Sequence, residues 1–216
     1  MRVLLVEDDP TTSRSIEMML THANLNVYAT DLGEEGIDLA KLYDYDLILL
    51  DLNLPDMNGH EVLRQLRLSR IETPILILSG SDDNESKIKG FGFGADDYLT
   101  KPFSPRELVA RVKAILRRDR TTAQSEGEIL TFTHIRIDTR RYKLWRDDEE
   151  IELTSLEFNL LKTLASYPEM VLNREQLLQK VWGYDFYGDE RVVDVHIGRI
   201  RQKLEYDPAN PQFVLT

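Results

Sequence analysis

The chain has 216 residues, a formal net charge of −11 and no cysteine, so it is long enough for two ordinary domains but cannot form disulfide bonds or thiolate metal sites. Both halves of the chain are acidic, which argues against indiscriminate nucleic-acid binding and requires any nucleic-acid surface to be a local patch. No apolar run is long enough to span a bilayer, and Glu7 interrupts the apolar N-terminus, so we expect a cytoplasmic protein without signal peptide or membrane contact.

From Met1 to about Arg118, short apolar runs alternate with amphipathic stretches, which is typical of β-α units around a parallel sheet. The predicted strands are Val3–Val6, Val27–Ala29, Leu47–Leu50, Ile75–Leu78 and Tyr98–Leu99. The predicted helices are about Thr12–His22, Glu34–Leu42, Glu61–Leu68, Glu85–Phe91 and Pro105–Arg118. Residues 1–118 are therefore predicted to form an α/β domain with a doubly wound, five-stranded parallel sheet.

Acidic residues lie at the ends of two predicted strands. Glu7, Asp8 and Asp9 come directly after the first strand, and Asp51 comes directly after the third. The carboxyl ends of parallel strands meet at one edge of a sheet, where ligands bind. Carboxylates packed together repel unless a cation neutralises them, and oxygen ligands suit a hard metal such as Mg²⁺. The sequence therefore predicts one magnesium-binding site at this edge.

Four positions at successive strand ends resemble the receiver domain of two-component response regulators. They are Asp8-Asp9, Asp51, Ser79 and Lys101-Pro102, and the resemblance covers residues 1–118. It implies that Asp51 accepts a phosphoryl group from a sensor histidine kinase or a phosphotransfer protein. The other implied roles are Mg²⁺ binding by Asp8, Asp9, Asp51 and the Asn53 backbone carbonyl, phosphate contacts from Lys101 and Ser79, a switch role for Tyr98, and a cis Lys101–Pro102 bond.

Two other classes of protein share part of this pattern. Phosphatases with an aspartate nucleophile resemble Asp-x-Asp, whereas the second acidic position here is Asn53, which disfavours an independent hydrolase. A flavodoxin-like flavin-binding protein would share the sheet, but the acidic residues after the first strand would repel a flavin phosphate. We therefore expect a phosphoacceptor and not a free-standing enzyme.

Charges alternate around apolar positions in Lys87–Phe91, Ala95–Asp97 and Arg106–Arg118. In the OmpR/PhoB subclass of response regulators, the corresponding face builds a twofold dimer through paired charges. This resemblance implies a homodimer through the receiver, with Lys87 paired to Glu107, Asp97 to Arg111, and Asp96 to Arg118. Exposed ion pairs add little stability, so these would determine partner choice and register.

A polar stretch at residues 119–128 has no apolar periodicity and is predicted to be a linker. Beyond it, strands are predicted over Leu130–Asp138 and Tyr142–Trp145, with a second turn at Asp147–Glu150. The predicted helices are Leu156–Ala165, opened by a Thr154-x-x-Glu157 capping box, Glu175–Val181, capped by Asn173, and Arg191–Leu204. Residues 129–216 are therefore predicted to form an α+β domain with three helices after a small sheet.

The helix predicted at Arg191–Leu204 provides the local basic patch that the composition requires, through Arg191, Arg199, Arg201 and Lys203. The domain resembles the winged helix-turn-helix of OmpR/PhoB-type transcription factors, in Leu153-Thr154-x-x-Glu157-Phe158 and in Val193-Asp194-Val195-His196-Ile197-x-Arg199-Ile200-Arg201-x-Lys203-Leu204. This resemblance implies that the helix lies in the major groove of double-stranded DNA, where the four basic residues contact bases or phosphates. Since the chain stops at Thr216, we expect the wing to be incomplete.

These patterns together predict a phosphorylation-dependent, DNA-binding transcriptional regulator of a two-component system. The alternative is a receiver-like module that acts by protein contact and has a non-functional helical domain. Salt-dependent binding to duplex DNA separates the two, because a helix that contacts phosphates loses affinity steeply as salt rises.

Overall fold

The computed structural model of the protein describes residues 1–80, 84–120, 129–168, 170–182 and 190–215, without the side chains of residues 84–86 and 117–120. The chain divides into two compact units, Met1–Leu116 and Arg117–Thr216. No helix among the described residues is long and apolar enough to cross a membrane.

The first unit is built on a five-stranded parallel sheet with the strand order β2-β1-β3-β4-β5. The strands are β1 (Arg2–Val6), β2 (Asn26–Thr30), β3 (Leu47–Asp51), β4 (Ile75–Ser79) and β5 (Asp97–Thr100). The helices between and after them are α1 (Pro10–His22), α2 (Gly33–Leu42), α3 (Gly59–Leu68), α4 (Asn84–Phe93) and α5 (Pro105–Arg120). Every predicted strand lies within an observed one, which confirms the predicted fold class.

Both faces of this sheet are covered, because successive side chains of a strand point to opposite sides. On one face, Val3 and Leu5 pack in a core cluster with Ile16 of α1 and Val112 of α5. On the other face, a Cβ added to Gly36 of α2 would lie 2.8 Å from Val6. Helices therefore lie on both sides of the sheet, and the polar carboxyl ends of the strands are left at its edge.

The second unit begins with a four-stranded antiparallel sheet of order β6-β7-β8-β9, where two strands were predicted. Its strands are β6 (Ile129–Thr131), β7 (Ile135–Asp138), β8 (Lys143–Arg146) and β9 (Glu149–Ile151). The predicted strand Leu130–Asp138 is interrupted by a turn that closes with a Phe132 N–H to Ile135 carbonyl bond of 2.8 Å. A two-residue turn joins β8 to β9. Its residues Asp147 and Asp148 both have positive φ, as tight hairpins require.

Three helices follow this sheet, as predicted. They are α6 (Ser155–Ala165), α7 (Arg174–Leu177), which continues as a π-helical turn over Leu178–Trp182, and α8 (Arg191–Leu204). Both predicted N-caps are present, since Thr154 forms a capping box with Glu157 and Asn173 forms one with Gln176. These caps fix where α6 and α7 begin and therefore how α6 packs against α8.

Candidate functional site

Three acidic side chains meet at the carboxyl ends of β1 and β3. Oxygens of Glu7, Asp8 and Asp51 lie within 4.8 Å of one another. The two strands are neighbours, with Val6 opposite Leu50, so the residues that follow them reach the same edge of the sheet. Three clustered carboxylate oxygens suit a hard divalent cation, and Mg²⁺ takes ligands of this kind. The geometry therefore fits the predicted metal site.

Asp9, which the resemblance implies as a metal ligand, is not part of this cluster. Its carboxylate caps α1, accepting hydrogen bonds from the Thr12 N–H at 2.9 Å and the Thr12 hydroxyl at 2.5 Å. The Thr12 bonds lower the pKa of Asp9 below its ordinary value. Glu7, which directly follows β1, takes its place beside Asp51. The reason is that Asp9 is the N-cap of α1, whereas Glu7 is the residue directly after β1.

Lys101 supplies a positive charge between two of these acids. Its ammonium lies 2.7 Å from Glu7 Oε2 and 3.1 Å from Asp51 Oδ2. Burial alone would lower the pKa of Lys101, but its hydrogen bond to Glu7 and the charge of Asp51 raise it above its ordinary value. Burial raises the pKa of Glu7, and the Lys101 hydrogen bond opposes this only in part. Lys101 therefore keeps its charge, while Glu7 accepts a proton more readily than an exposed glutamate.

The Asp51 carboxylate is buried, with only 4% of the residue exposed. Its Oδ1 accepts a hydrogen bond of 2.7 Å from the Leu52 N–H, while Oδ2 contacts Lys101. Gly59 packs directly behind it, and a Cβ at that position would lie 2.2 Å from the Asp51 carbonyl oxygen. The backbone of the predicted phosphoacceptor is therefore supported by a position that only glycine can occupy without rearrangement.

The loop between β3 and α3 is held at two further points. Asn53 forms an isolated antiparallel bridge with Asn58, which closes the loop that contains the predicted carbonyl ligand. The Asp56 carboxylate accepts hydrogen bonds from the backbone N–H groups of Gly33 at 2.9 Å and Glu34 at 2.8 Å. Asp56 thus caps α2, which has no side-chain cap of its own at Leu32. The loop that follows Asp51 is in this way tied to the first turn of α2.

Ser79 is the last residue of β4, and Tyr98 lies within the neighbouring strand β5, opposite Ile77. Ser79 is buried, and its carbonyl accepts a hydrogen bond of 2.7 Å from the Lys101 N–H. Tyr98 is only 5% exposed, and its ring centroid lies 6.4 Å from that of Phe91 and 5.9 Å from the Lys87 ammonium. The Lys101–Pro102 bond is cis, as the resemblance implied.

Charged residues of the predicted dimer face have partners within the same chain. Arg111 pairs with Asp97 at 3.1 Å and with Glu107 at 3.2 Å, and both Asp97 and Arg111 are buried. Asp96 accepts from Arg67 at 3.2 Å and from the Ile75 N–H at 2.9 Å. The Arg118 side chain lies outside the described residues. The expected pairing of Asp97 with Arg111 therefore exists inside one protomer, and an interchain pair would have to replace it.

Basic residues of α8 are also engaged within the chain. Arg199 lies 3.0 Å and Lys203 lies 2.8 Å from the carboxylate of Glu157, and Arg201 donates two hydrogen bonds to the Val214 carbonyl at 2.9 and 2.7 Å. Arg191 is exposed at the first turn. Asp194, also exposed, pairs with Arg174 at 3.0 Å. Of the four residues predicted to contact DNA, Arg191 is exposed, and the other three are partly buried.

The sequence leaves part of the role of three carboxylates open. Glu7 belongs to the predicted acidic cluster but not to the implied metal ligands, Glu157 is predicted only as a cap, and Asp56 has no predicted role. The pattern Asp9-Pro10-x-Thr12 is a helix-start signal that would have separated Asp9 from Glu7. The capping role predicted for Glu157 is confirmed. Its carboxylate also contacts Arg199 and Lys203, which the capping pattern does not predict. We found no sequence signal for Asp56, because its partners lie 22 and 23 residues earlier in the chain.

Family models match both units of the chain. Residues 3–113 match the model for the response regulator receiver domain, and residues 148–216 match the model described as transcriptional regulatory protein, C terminal. The cell cycle response regulator CtrA of Brucella ovis is 47% identical over 219 residues, which covers 100% of this chain and 92% of that protein. CtrA of Brucella anthropi is also 47% identical, with the same coverage.

Solved structures give a consistent picture. A mutant of RitR aligns with a TM-score of 0.78 and 32% identity, covering 95% of this chain and 90% of that one. The response regulator DrrB, described as a Thermotoga maritima OmpR/PhoB homolog, aligns with a TM-score of 0.53 and 34% identity, covering 100% of this chain and 94% of that one. Both alignments extend over the two units.

Proposed function

Because this chain belongs to the response regulators that join a receiver domain to an OmpR/PhoB-type DNA-binding domain, we propose that phosphorylation of Asp51 controls its binding to promoter DNA. The donor is the phosphohistidine of a sensor kinase or of a phosphotransfer protein. The observation that supports this most directly is the meeting of Glu7, Asp8 and Asp51 beside Lys101 at one edge of the sheet. The chain acts as a phosphoacceptor and not as a free-standing enzyme.

In the proposed reaction, an Asp51 carboxylate oxygen attacks the phosphorus, the phosphorus–nitrogen bond of the donor breaks, and the imidazole leaves with its electron pair. Glu7, Asp8, Asp51 and the Asn53 carbonyl would hold Mg²⁺, which when bound would supply positive charge to the transferring oxygens. Lys101 donates to one phosphoryl oxygen, and the Ser79 hydroxyl donates to another. Lys101 is already next to Asp51, so it needs little movement to do so.

The proposed response of the receiver passes through Ser79 and Tyr98. When Ser79 turns toward the phosphoryl group, the space around the Tyr98 ring changes, and Tyr98 lies beside Phe91 and Lys87 of α4. This biases the receiver toward homodimerisation through the face that contains Lys87, Asp96, Asp97, Glu107, Arg111 and Arg118. The intrachain pairs of Arg111 with Asp97 and Glu107 would then be exchanged for pairs across the twofold axis.

In the DNA-binding domain, α8 enters the major groove, and a receiver dimer places two such helices on paired half-sites. Arg191 supports this proposal because it lies exposed at the N-terminal end of α8, where recognition helices contact DNA. The domain as a whole is acidic, so phosphate contacts would come from a few local cations.

The test is phosphorylation of the full chain with Mg²⁺ and acetyl phosphate as the small-molecule donor, followed by intact mass spectrometry. We expect the wild type to gain one phosphoryl group and Asp51→Asn to gain none. Omitting Mg²⁺ with a chelator should abolish the gain in the wild type. A wild type that stays unmodified, or an Asp51→Asn variant modified at the same site, would reject the mechanism.

A further inference from the structure

The Glu157 carboxylate is completely buried, with 0% of the residue exposed, and it contacts groups from two helices. Its Oε2 accepts a hydrogen bond of 2.9 Å from the Thr154 N–H, which closes the capping box of α6. The same oxygen accepts one of 2.8 Å from the Lys203 ammonium. Its Oε1 lies 3.0 Å from Arg199 Nη2, an ion pair without hydrogen-bond alignment. One carboxylate of α6 therefore holds two cations of α8.

Arg199 and Lys203 are one helical turn apart, so they project from the same side of α8. Their side chains are 13% and 32% exposed, because they lie against α6 and not in solvent. The inward face of the helix next to them is formed by His196 and Ile200, which are both buried. The position of Arg199 and Lys203 on the helix thus directs them toward the interior of the domain.

The side of α8 that faces away from the buried His196 and Ile200 forms a separate stripe. Arg191, Val195, Gly198 and Gln202 follow one another at spacings of four, three and four residues, which places them on one helical face. Arg191 and Gln202 are exposed, and a Cβ added to Gly198 would meet nothing within 4 Å. This outer stripe offers a cation, an apolar side chain, an open position and an amide to the surroundings.

We propose that Glu157 is a positioning residue that withholds Arg199 and Lys203 from DNA, and that the outer stripe of Arg191, Val195, Gly198 and Gln202 faces the groove instead. This inference rests on the proposed DNA-binding function. Gln202 supplies an amide donor and acceptor for base edges, and Val195 supplies an apolar contact. Arg199 and Lys203 then set the orientation of α8 by tying it to the capped end of α6.

The physical basis is competition between two anions for the same cations. The Glu157 carboxylate is fixed in place by the Thr154 N–H and lies where water is excluded, whereas a DNA phosphate is solvated and screened by salt. Leaving Glu157 buried without its cations would be strongly unfavourable, so DNA is not expected to draw them away. Each cation that does neutralise a phosphate changes the slope of log K against log salt by about 0.9, which makes the salt slope the appropriate measurement.

The experiment uses the full chain and a fluorescein-labelled 30-base-pair duplex of random sequence, titrated at several salt concentrations. We expect Arg191→Gln to reduce the magnitude of the salt slope by about 0.9, and Arg199→Gln and Lys203→Gln to leave it unchanged. Glu157→Gln removes the internal anion, so it should release one or both cations and increase the slope by about 0.9 or more. A residue with a purely structural role would not increase it.

A gain-of-function pair tests the outer stripe without disturbing the interior. Gly198→Lys adds a cation to the stripe and should increase the slope by about 0.9 relative to Gly198→Ala, which corrects for the gain in helix propensity. Thermal melts show whether each variant is folded, and if Glu157→Gln is not, the other five substitutions decide.

A slope reduced by about 0.9 in Arg199→Gln or Lys203→Gln would overturn the proposal, because these residues would then contact phosphate. Equal slopes for Gly198→Lys and Gly198→Ala would also overturn it. A wild type that does not bind the duplex even at low salt contradicts the proposed DNA-binding function itself, and this inference with it. The two failures are distinguishable, since only the second removes wild-type binding.

Discussion

The Lys101 ammonium and the Glu7 carboxylate lie 2.7 Å apart at the edge of the parallel sheet, and both have raised pKa values. For Lys101 this means that the charged form is favoured, because its two carboxylate neighbours outweigh the effect of burial. For Glu7 it means that the neutral form is more favoured than it is for a glutamate in water. Burial and the nearby Asp51 charge raise its pKa by more than the ion pair with Lys101 lowers it. Metal binding at this edge must therefore displace a proton more often than it would at an exposed site.

We expect Mg²⁺ affinity to fall as the pH is lowered through the raised pKa of Glu7, which lies above the ordinary value of 4.5. Glu7→Gln should weaken Mg²⁺ binding by about tenfold or more and remove this part of the pH dependence. Isothermal titration calorimetry between pH 5 and 8 measures both effects. Equal Mg²⁺ affinities for wild type and variant would show that Glu7 is not a ligand.

Glu7→Gln should raise the stability of the metal-free protein, although it weakens Mg²⁺ binding. Because folding raises the pKa of Glu7, its contribution to stability is present below the ordinary pKa and is lost as the pH rises through the folded-state value. Metal-free Glu7→Gln should therefore melt at a higher temperature than wild type at pH 7. The matched control is Asp9→Ala, which removes the cap of α1 and should lower the melting temperature while Mg²⁺ affinity stays close to that of wild type.

Gly59→Ala should damage the receiver because the new Cβ would lie 2.2 Å from the Asp51 carbonyl oxygen and 2.7 Å from Leu52 Cα. Backbone atoms cannot move aside as the end of a flexible side chain does. We therefore expect the free energy of unfolding, measured in urea, to fall by about 1–3 kcal/mol or more, and phosphorylation to be slower. Gly92→Ala is the control, because its Cβ would meet nothing within 4 Å. It should stabilise α4 by up to about 1 kcal/mol.

Asp56→Ala removes the cap that the β3–α3 loop provides to α2, and should cost about 1 kcal/mol at neutral pH. Burial would raise the pKa of Asp56, but the N–H groups of Glu34 and Gly33 lower it below 3.8. Its stabilising effect is therefore present above 3.8 and is lost as the pH falls through the lowered folded-state value. Thermal melts of wild type and variant should converge in strong acid, and a constant difference would contradict the cap.

Arg111→Ala should destabilise the receiver by about 3–5 kcal/mol, because it leaves Asp97 buried without its partner. The double variant Asp97→Ala, Arg111→Ala should lose less unfolding free energy than Arg111→Ala alone, because no buried charge is left unpaired. The control is Arg64→Ala, whose pair with Glu61 is exposed and should contribute less than about 1 kcal/mol. Measured at concentrations where the protein is monomeric, an Arg111→Ala variant as stable as wild type would mean that the pair forms only between protomers.

The receiver architecture was predictable because its strands are short apolar runs that end in charge. Leu47–Leu50 and Ile75–Leu78 are buried along their whole length, and the strand order brings Asp51 and Lys101 together as expected. Spacing could not show which of the consecutive acids Glu7, Asp8 and Asp9 turns toward Asp51. That depends on where the strand ends and the α1 cap begins, which is a difference of two residues.

In the DNA-binding domain, the extent of α8 was predicted correctly, but the contacts of Arg199 and Lys203 with Glu157 were not. A count of basic residues treats Arg199 and Lys203 like Arg191, although the first two lie against α6 and are partly buried and the third is exposed. The decisive partner, Glu157, is more than 40 residues away in sequence. Tertiary contacts of this kind cannot be derived from the local periodicity of one helix.

The two oxygens of Asp51 have different hydrogen-bond partners, the Leu52 N–H and the Lys101 ammonium. The carboxylate is consequently held in one orientation before any phosphodonor arrives. The rotational freedom that a nucleophile must lose to react is thus already lost when the protein folds, and the encounter with a donor has only to bring the phosphorus to a fixed oxygen. Any partner that presents a reactive phosphoryl group in line with that oxygen meets the same prearranged acceptor.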